Sequence, residues 1–326
     1  MDKNELISEL NKEVYKLVKP SECYLCGCKM SSACNSHVVP QFILKSVAED
    51  GHLYYGQTLF KHNDFIKCEK GINNAFTFHL ICKKCDNSYF KTYEKPEFIL
   101  NFDSIESGQR NRALCEMAIK ALLASLSVKN YLSGIKFVTF GIKGTASDMD
   151  ASDYKNKISY IRKCKNSDED KINIIYNELL EYETKIACQC ILGVVRDIDG
   201  NVCFNVRDFE SASVANYLYL NILPYKGKTR IIFFNFKYDY EDNNTTLIKQ
   251  FNSLTKEEKL KFIFVALTMY SEQFFISPSL NEIMKKDKKL VHMFNKTDNA
   301  NIDDSVYKEF KNFKKYENYL SSKYSK

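Results

Sequence analysis

The residues with the clearest chemistry are two Cys-x-x-Cys pairs. Cys23-Tyr-Leu-Cys26-Gly27 and Cys82-Lys-Lys-Cys85-Asp86-Asn87 bracket the segment Ser36-His37-Val-Val-Pro40. Thiolates are soft ligands, and two such turns bring four sulfurs around one tetrahedral zinc ion. Gly27, just past the second sulfur, suits the tight turn of a metal knuckle. A shell of four sulfurs has no open position, so a Zn2+ held by Cys23, Cys26, Cys82 and Cys85 is expected to be structural. Any reaction then belongs to other residues. Cys28, Cys34 and Cys68 have no partner at ligand spacing and read as bystanders, while Cys115, Cys164, Cys188, Cys190 and Cys203 lie in apolar patterns and read as core.

His37 is the foremost candidate for acid–base work, because an imidazole can take a proton from water near neutral pH. The plainer alternative is a histidine satisfied inside the fold. His79 lies on a strand entering the second knuckle and reads as packed or hydrogen-bonded, and His52, His62 and His292 read as surface residues.

Cys-x-x-Cys, then Ser36-His37-Val-Val-Pro40-Gln-Phe42, then a second Cys-x-x-Cys followed by Asp86, Phe90 and Glu94, resembles the zinc-bearing branch of the HNH (ββα-metal) endonucleases. That branch includes the endonuclease VII type and a group of bacterial HNH-like proteins. The resemblance spans about residues 20 to 98. It implies His37 as the general base and Asp86 as a ligand of a catalytic Mg2+ or Mn2+ from the first turn of a helix, a role that suits a hard carboxylate. The family usually carries Asp or His immediately before the base as a second metal ligand; this chain carries Ser36. Asn87, Asp64 and Glu69 are other oxygen ligands to consider, and Asn73 or Asn74 stands where the family has a central Asn. Glu94, eight helical residues from Asp86, is expected to lie about 12 Å along the axis and not to share the ion.

The 326 residues carry a formal charge of +6, yet residues 1 to 100 hold 13 Lys and no Arg against 12 Asp or Glu. The knuckle region therefore lacks a basic footprint of its own. The pairs Lys285-Lys286 and Lys288-Lys289 are candidates for phosphate contacts, with a solvated helix face as the simpler reading. Twelve cysteines without a signal-peptide pattern at the start argue for a reducing, cytoplasmic setting and against a disulfide scaffold. The longest apolar run, Phe262 to Ile276, is too short to span a bilayer.

These residues must be positioned by their flanking elements. Leu6, Leu10, Val14 and Leu17 have helical spacing ahead of Lys19-Pro20. Thr77 to Ile81 reads as a strand delivering Cys82, and Asp86 to about Phe98 as a helix. Gln109 to Tyr131 reads as a long core helix, Gly141 to Asp153 as a polar connection, and Asp168 onward as a helix with Ile172, Ile175, Tyr176 and Leu179 on one face. Lys185 to Asp197 with Asn201 to Phe209, and Tyr217 to Leu223 with Thr229 to Tyr238, read as two pairs of strands. Thr255-Lys-Glu-Glu258 has the form of a capping box opening a helix through Gln273, Ser277-Pro278 starts another, and Asp303 to Tyr324 reads as a surface-facing last helix.

The expected fold is α+β: a zinc-stabilised ββα-metal module with an N-terminal helix over residues 1–103, then an α+β domain over 109–326 with an antiparallel sheet of about four strands and helices on one face. The resemblance implies a metal-dependent nuclease acting on nucleic acid, DNA ahead of RNA, in the setting of a toxin or phage-defence effector. A regulatory protein or a second copy of the chain would then act through the larger domain, with no membrane involved. The alternative is a zinc module that binds nucleic acid or protein without cutting.

Overall fold

The computed structural model describes residues 3–56, 69–75, 77–143, 146–167, 171–203, 217–237, 244–271, 273–298 and 309–326. Asp64, Cys68 and His62, and the aromatics Phe60 and Phe65, lie outside them. In chain order the elements are α1 (Lys3–Val18), β1 (Ser36–His37), α2 (Gln41–Val47), β2 (His52–Tyr55), β3 (Glu69–Gly71), β4 (Thr77–Phe78), α3 (Lys83–Tyr89), α4 (Pro96–Asn101), α5 (Ser107–Phe140), α6 (Ala146–Lys165), β5 (Ile172–Leu180), β6 (Ile186–Leu192), β7 (Leu218–Tyr225), β8 (Lys228–Phe236), α7 (Thr245–Asn252), α8 (Lys256–Tyr270), β9 (Phe274–Ile276), α9 (Pro278–Met284) and α10 (Lys288–Asp298). The fold is mixed α+β with an antiparallel sheet. No helix among the described residues is long and apolar enough to cross a membrane.

The chain forms two compact units, and they differ from the consecutive stretches 1–103 and 109–326. One comprises residues 1–38, 77–98 and 103–169; the other comprises 39–76, 99–102 and 170–326. The long helix α5 and its neighbour α6 thus belong with the cysteine knuckles.

In the knuckle unit, α5 runs nine residues beyond the expected end at Tyr131 and stops where Gly141 takes a left-handed conformation, its N–H bonded to the Phe137 carbonyl at 2.8 Å. The connection read from Gly141 to Asp153 is instead largely helical, because α6 begins at Ala146. From Ala113 to Leu126, α5 is buried on every side, as a helix at the centre of a unit must be. Further along, Gly134 lets α1 approach closely, since a Cβ there would come within 2.9 Å of both Val14 and Val18. Two charged groups buried on α5, Glu116 and Lys120, are paired. Glu116 accepts from the Thr92 N–H (3.0 Å) and hydroxyl (2.7 Å) and from Lys165 (2.9 Å), and Lys120 donates to Glu94 while lying over the Phe90 ring.

The other unit is built on a sheet of seven strands among the described residues, in the order β3-β2-β9-β6-β7-β8-β5. Of the four expected strands, β6, β7 and β8 are three, and most of Asn201 to Phe209 lies outside the described residues; the count fell short because the short strands β2, β3 and β9, and β5, were not anticipated. The hairpin β7–β8 turns through Lys226 and Gly227, both at positive φ (49° and 77°), the geometry whose twist matches that of paired strands. Ile172 to Leu179, expected as a helix face, is the strand β5. Its apolar residues satisfy both periods, and pairing along the full length of β8 decides between them; a shift of register between Ile174 and Tyr176 accommodates the irregular pattern. The helix through Gln273 ends at Tyr270, and its capping box at Thr255 and Glu258 forms as expected. The last surface helix is not found in the described part of Asp303 to Tyr324. Residues 309–315 and 322–324 form 3-10 turns, with Phe310, Phe313, Tyr316 and Tyr319 buried. Phe310 and Phe313 flank a kink at Asn312 and both meet Phe262 of α8. Lys285, Lys286, Lys288 and Lys289 are exposed.

Lys157 on α6 is 3% exposed, and burial pushes its pKa down to about 8, against a smaller opposing pull from Asp153. Below pH 8 the ammonium is charged in both folded and unfolded chains, and its burial destabilises the fold in full. Between pH 8 and 10.5 the folded chain has released a proton that the unfolded chain retains, so the penalty fades as pH rises. Lys157→Met is therefore expected to stabilise the protein at pH 7 by about 2 kcal/mol, with the gain shrinking by pH 10. Urea denaturation at the two pH values measures this, and a loss of stability at pH 7 would contradict it.

Candidate metal centre

The first knuckle is a turn closed by backbone bonds from the Cys23 N–H to the Cys28 carbonyl (2.9 Å) and from the Gly27 N–H to the Cys23 carbonyl (2.8 Å). Gly27 takes φ +70°, a conformation that side chains disfavour. The second knuckle opens α3: Cys82 is extended at the helix N-cap, and the Asp86 N–H bonds to its carbonyl at 3.0 Å. Two bonds tie the knuckles together, from the Tyr24 N–H to the Leu80 carbonyl (3.1 Å) and from the Cys82 N–H to the Cys23 sulfur (3.3 Å).

The four sulfurs of Cys23, Cys26, Cys82 and Cys85 lie within 4.8 Å of one another, so they could hold a structural metal ion. Cys26 and Cys82 have sulfurs 3.8 Å apart, matching the edge of about 3.8 Å that follows from tetrahedral Zn–S bonds near 2.3 Å. Cys26 is held below the usual thiol range chiefly by hydrogen bonds from Cys28, and Cys82 chiefly by the backbone N–H of Cys85. Cys28 does not lie apart as expected. Its sulfur is 3.2 Å from that of Cys26, a proximity that ligand-pair spacing alone does not reveal.

Beside this cluster, β1 and β4 pair antiparallel, Ser36 opposite Phe78 and His37 opposite Thr77. Strand alternation sends adjacent side chains to opposite faces. Ser36 is fully buried and His37 half-buried. The Ser36 hydroxyl donates to Asp86 Oδ1 at 2.5 Å and the Cys34 thiol donates to Oδ2 at 3.3 Å. Ser36 and Asp86, fifty residues apart, thus meet through the pairing of β1 with the strand that leads into α3. Cys34, read as a bystander, joins them because it lies two residues before Ser36 in an extended segment, its N–H bonded to the Ile81 carbonyl at 2.8 Å. Burial and the adjacent Asp86 push the Cys34 thiol up to about 11. The His79 Nδ1–H donates to the Cys34 carbonyl at 3.3 Å, so His79 is hydrogen-bonded although its side chain is exposed.

The other candidates are placed differently. Asn87 is exposed, a helical step of about 100° round α3 from Asp86. Asn73 accepts from the Gln41 amide at 3.4 Å in the sheet unit. The helix expected from Asp86 to Phe98 ends at Tyr89, so the axial estimate of about 12 Å to Glu94 does not hold. Burial raises the pKa of Glu94, Lys120 lowers it, and Asp86 contributes a further rise. The Lys120 ammonium neutralises this carboxylate from α5. His52 and His292 are exposed, as expected.

No family model, curated protein or solved structure matches the chain.

Purified protein is expected to carry a single tightly held zinc, measured by metal analysis, and to lose cooperative thermal unfolding of the knuckle unit when a strong chelator removes it. Cys85→Ala, which deletes a buried sulfur, is expected to abolish zinc retention. Full retention in that variant would exclude the four-sulfur site.

Proposed function

We propose that the chain is a metal-dependent nuclease of the HNH type, with its hydrolytic site formed by β1 and the first turn of α3. The observation that carries this reading is the Ser36–Asp86 contact, which sets the residue preceding His37 against a carboxylate beside the cysteine cluster. Two short antiparallel strands followed by a helix whose N-terminus bears two of the sulfurs are consistent with a ββα-metal module.

A carboxylate and a hydroxyl are hard oxygen donors and fit Mg2+ or Mn2+, whereas the Cys34 thiol is soft and does not. Asp86, with Ser36, would hold the cation; bound there, the ion supplies positive charge opposite a scissile phosphate. His37 serves as the general base, accepting a proton from the attacking water. Ser36 orients the Asp86 carboxylate, and the cysteine cluster keeps strand and helix in register. DNA is the preferred substrate and RNA the second.

A second reading has its own observation. Both Asp86 oxygens already accept hydrogen bonds from protein groups, and strand alternation turns His37 to the face of β1 opposite Ser36, as suits a zinc module that binds nucleic acid or protein without cutting it.

Cleavage of plasmid, single-stranded DNA and RNA with Mg2+ or Mn2+ separates the two. The nuclease reading expects metal-stimulated cleavage that falls at least about 100-fold in His37→Ala and loses its metal response in Asp86→Ala. Intact substrates under every cation, with binding that weakens steeply as salt rises, would establish the binding module instead. His37→Ala cutting as fast as wild type would remove the proposed base.

A further inference from the structure

The first knuckle carries one sulfur more than a tetrahedral ion can use. Cys26 and Cys28 are both exposed, whereas Cys23 and Cys85 are buried. The Cys26 sulfur lies 3.8 Å from that of Cys82 and 3.2 Å from that of Cys28. We infer that Cys26 and Cys28 are alternative ligands of the same ion, so that five thiols serve four coordination positions. The inference rests on the cysteine cluster holding a metal and is independent of the nuclease reading.

Three features of the turn support it. The Cys28 carbonyl is anchored by the Cys23 N–H at 2.9 Å, so an exchange of sulfurs requires rotation of side chains and leaves the backbone closure intact. Gly27, between the two, has no atom beyond its chain neighbours within 4 Å of where a Cβ would stand, so no other residue packs over the middle of the turn. The remaining nearby thiol, that of Cys34, is occupied by Asp86.

Zinc has no geometric preference from its d electrons and can expand to five ligands. That permits associative exchange. The Cys28 sulfur gives up its proton and forms a Zn–S bond; the Cys26–zinc bond breaks, and the Cys26 sulfur takes up a proton. Charge and proton count are unchanged, and nothing is oxidised or reduced. The buried pair anchors the ion while the exposed edge of the site opens and recloses, leaving one surface thiol free at any moment.

Full-length protein loaded with Co2+ tests this, because the thiolate-to-cobalt absorption scales with the number of bound sulfurs. Wild type, Cys26→Ser and Cys28→Ser are expected to show equal four-thiolate intensity, and the double variant to fall by about a quarter, one ligand of four. A three-thiolate spectrum from Cys26→Ser alone overturns the inference. A wild-type protein that binds no cobalt or zinc overturns the metal reading and the inference together, an outcome distinct from the first. A measurement on zinc-loaded wild type avoids dependence on variant folding: brief alkylation followed by peptide mapping is expected to label Cys26 and Cys28 in separate molecules. Label confined to either one shows a fixed ligand set and refutes the exchange.

Discussion

The knuckle unit depends on the closure between two turns far apart in sequence. The backbone bond from Tyr24 to Leu80 and the approach of the Cys82 N–H to the Cys23 sulfur hold the knuckles together, and the four sulfurs converge between them. Everything chemically distinctive nearby follows from that closure. β4 leads directly to Cys82, so joining the knuckles brings β4 beside β1; Asp86 follows Cys85, so the same closure delivers its carboxylate to Ser36. A metal ion in the cluster would therefore stabilise the strand pairing and the Ser36–Asp86 contact together, since binding free energy at a structural site is also folding free energy.

Around this clamp the unit buries several charges, and those facing α5 are paired. Glu116 gathers the Thr92 hydroxyl and N–H with the Lys165 ammonium, and Lys165 also donates to the Tyr89 carbonyl at 3.1 Å. These bonds connect the end of α3 with α5 and α6. The net stabilisation is small, because desolvation offsets much of the attraction inside a protein. Their effect is directional, as only one arrangement of the helices satisfies all the partners. The Glu94–Lys120 pair does the same for the segment between the end of α3 at Tyr89 and the start of α4 at Pro96.

The sheet unit rests on apolar burial and, among its described residues, buries the cation Arg230. Arg230 of β8 donates to the Ile99 carbonyl (3.0 Å), the Leu100 carbonyl (3.4 Å) and the Asn177 side chain (2.9 Å). Its guanidinium fork presents several donors at once to these acceptors. On the opposite flank of the chain's order, β9 pairs with both β2 and β6, so a three-residue strand joins the segment near the N-terminus to the main hairpins.

Local chemistry was legible wherever a few adjacent residues carry the whole instruction. The cysteine spacing, the capping box at Thr255 and Glu258, the Ser277-Pro278 helix start and the turn at Lys226-Gly227 each act within four residues, and each could be read directly from the sequence. Legibility failed where the deciding partner is distant. Ile172 to Leu180 fits two periods until β8 lies beside it, and β2 and β3 join a sheet formed mostly after residue 170. Cys34 and Cys28 have no informative spacing; one meets Asp86 across the β1–β4 pairing, and the other turns toward Cys26 within the knuckle. The sequence alone therefore marked the two thiol pairs that could bind a soft metal and several of the turns and helix starts, because those depend on covalent geometry and nearest neighbours. Only the tertiary structure decided which carboxylate, hydroxyl and thiol share one site, because that depends on strand pairing and burial across fifty residues of chain.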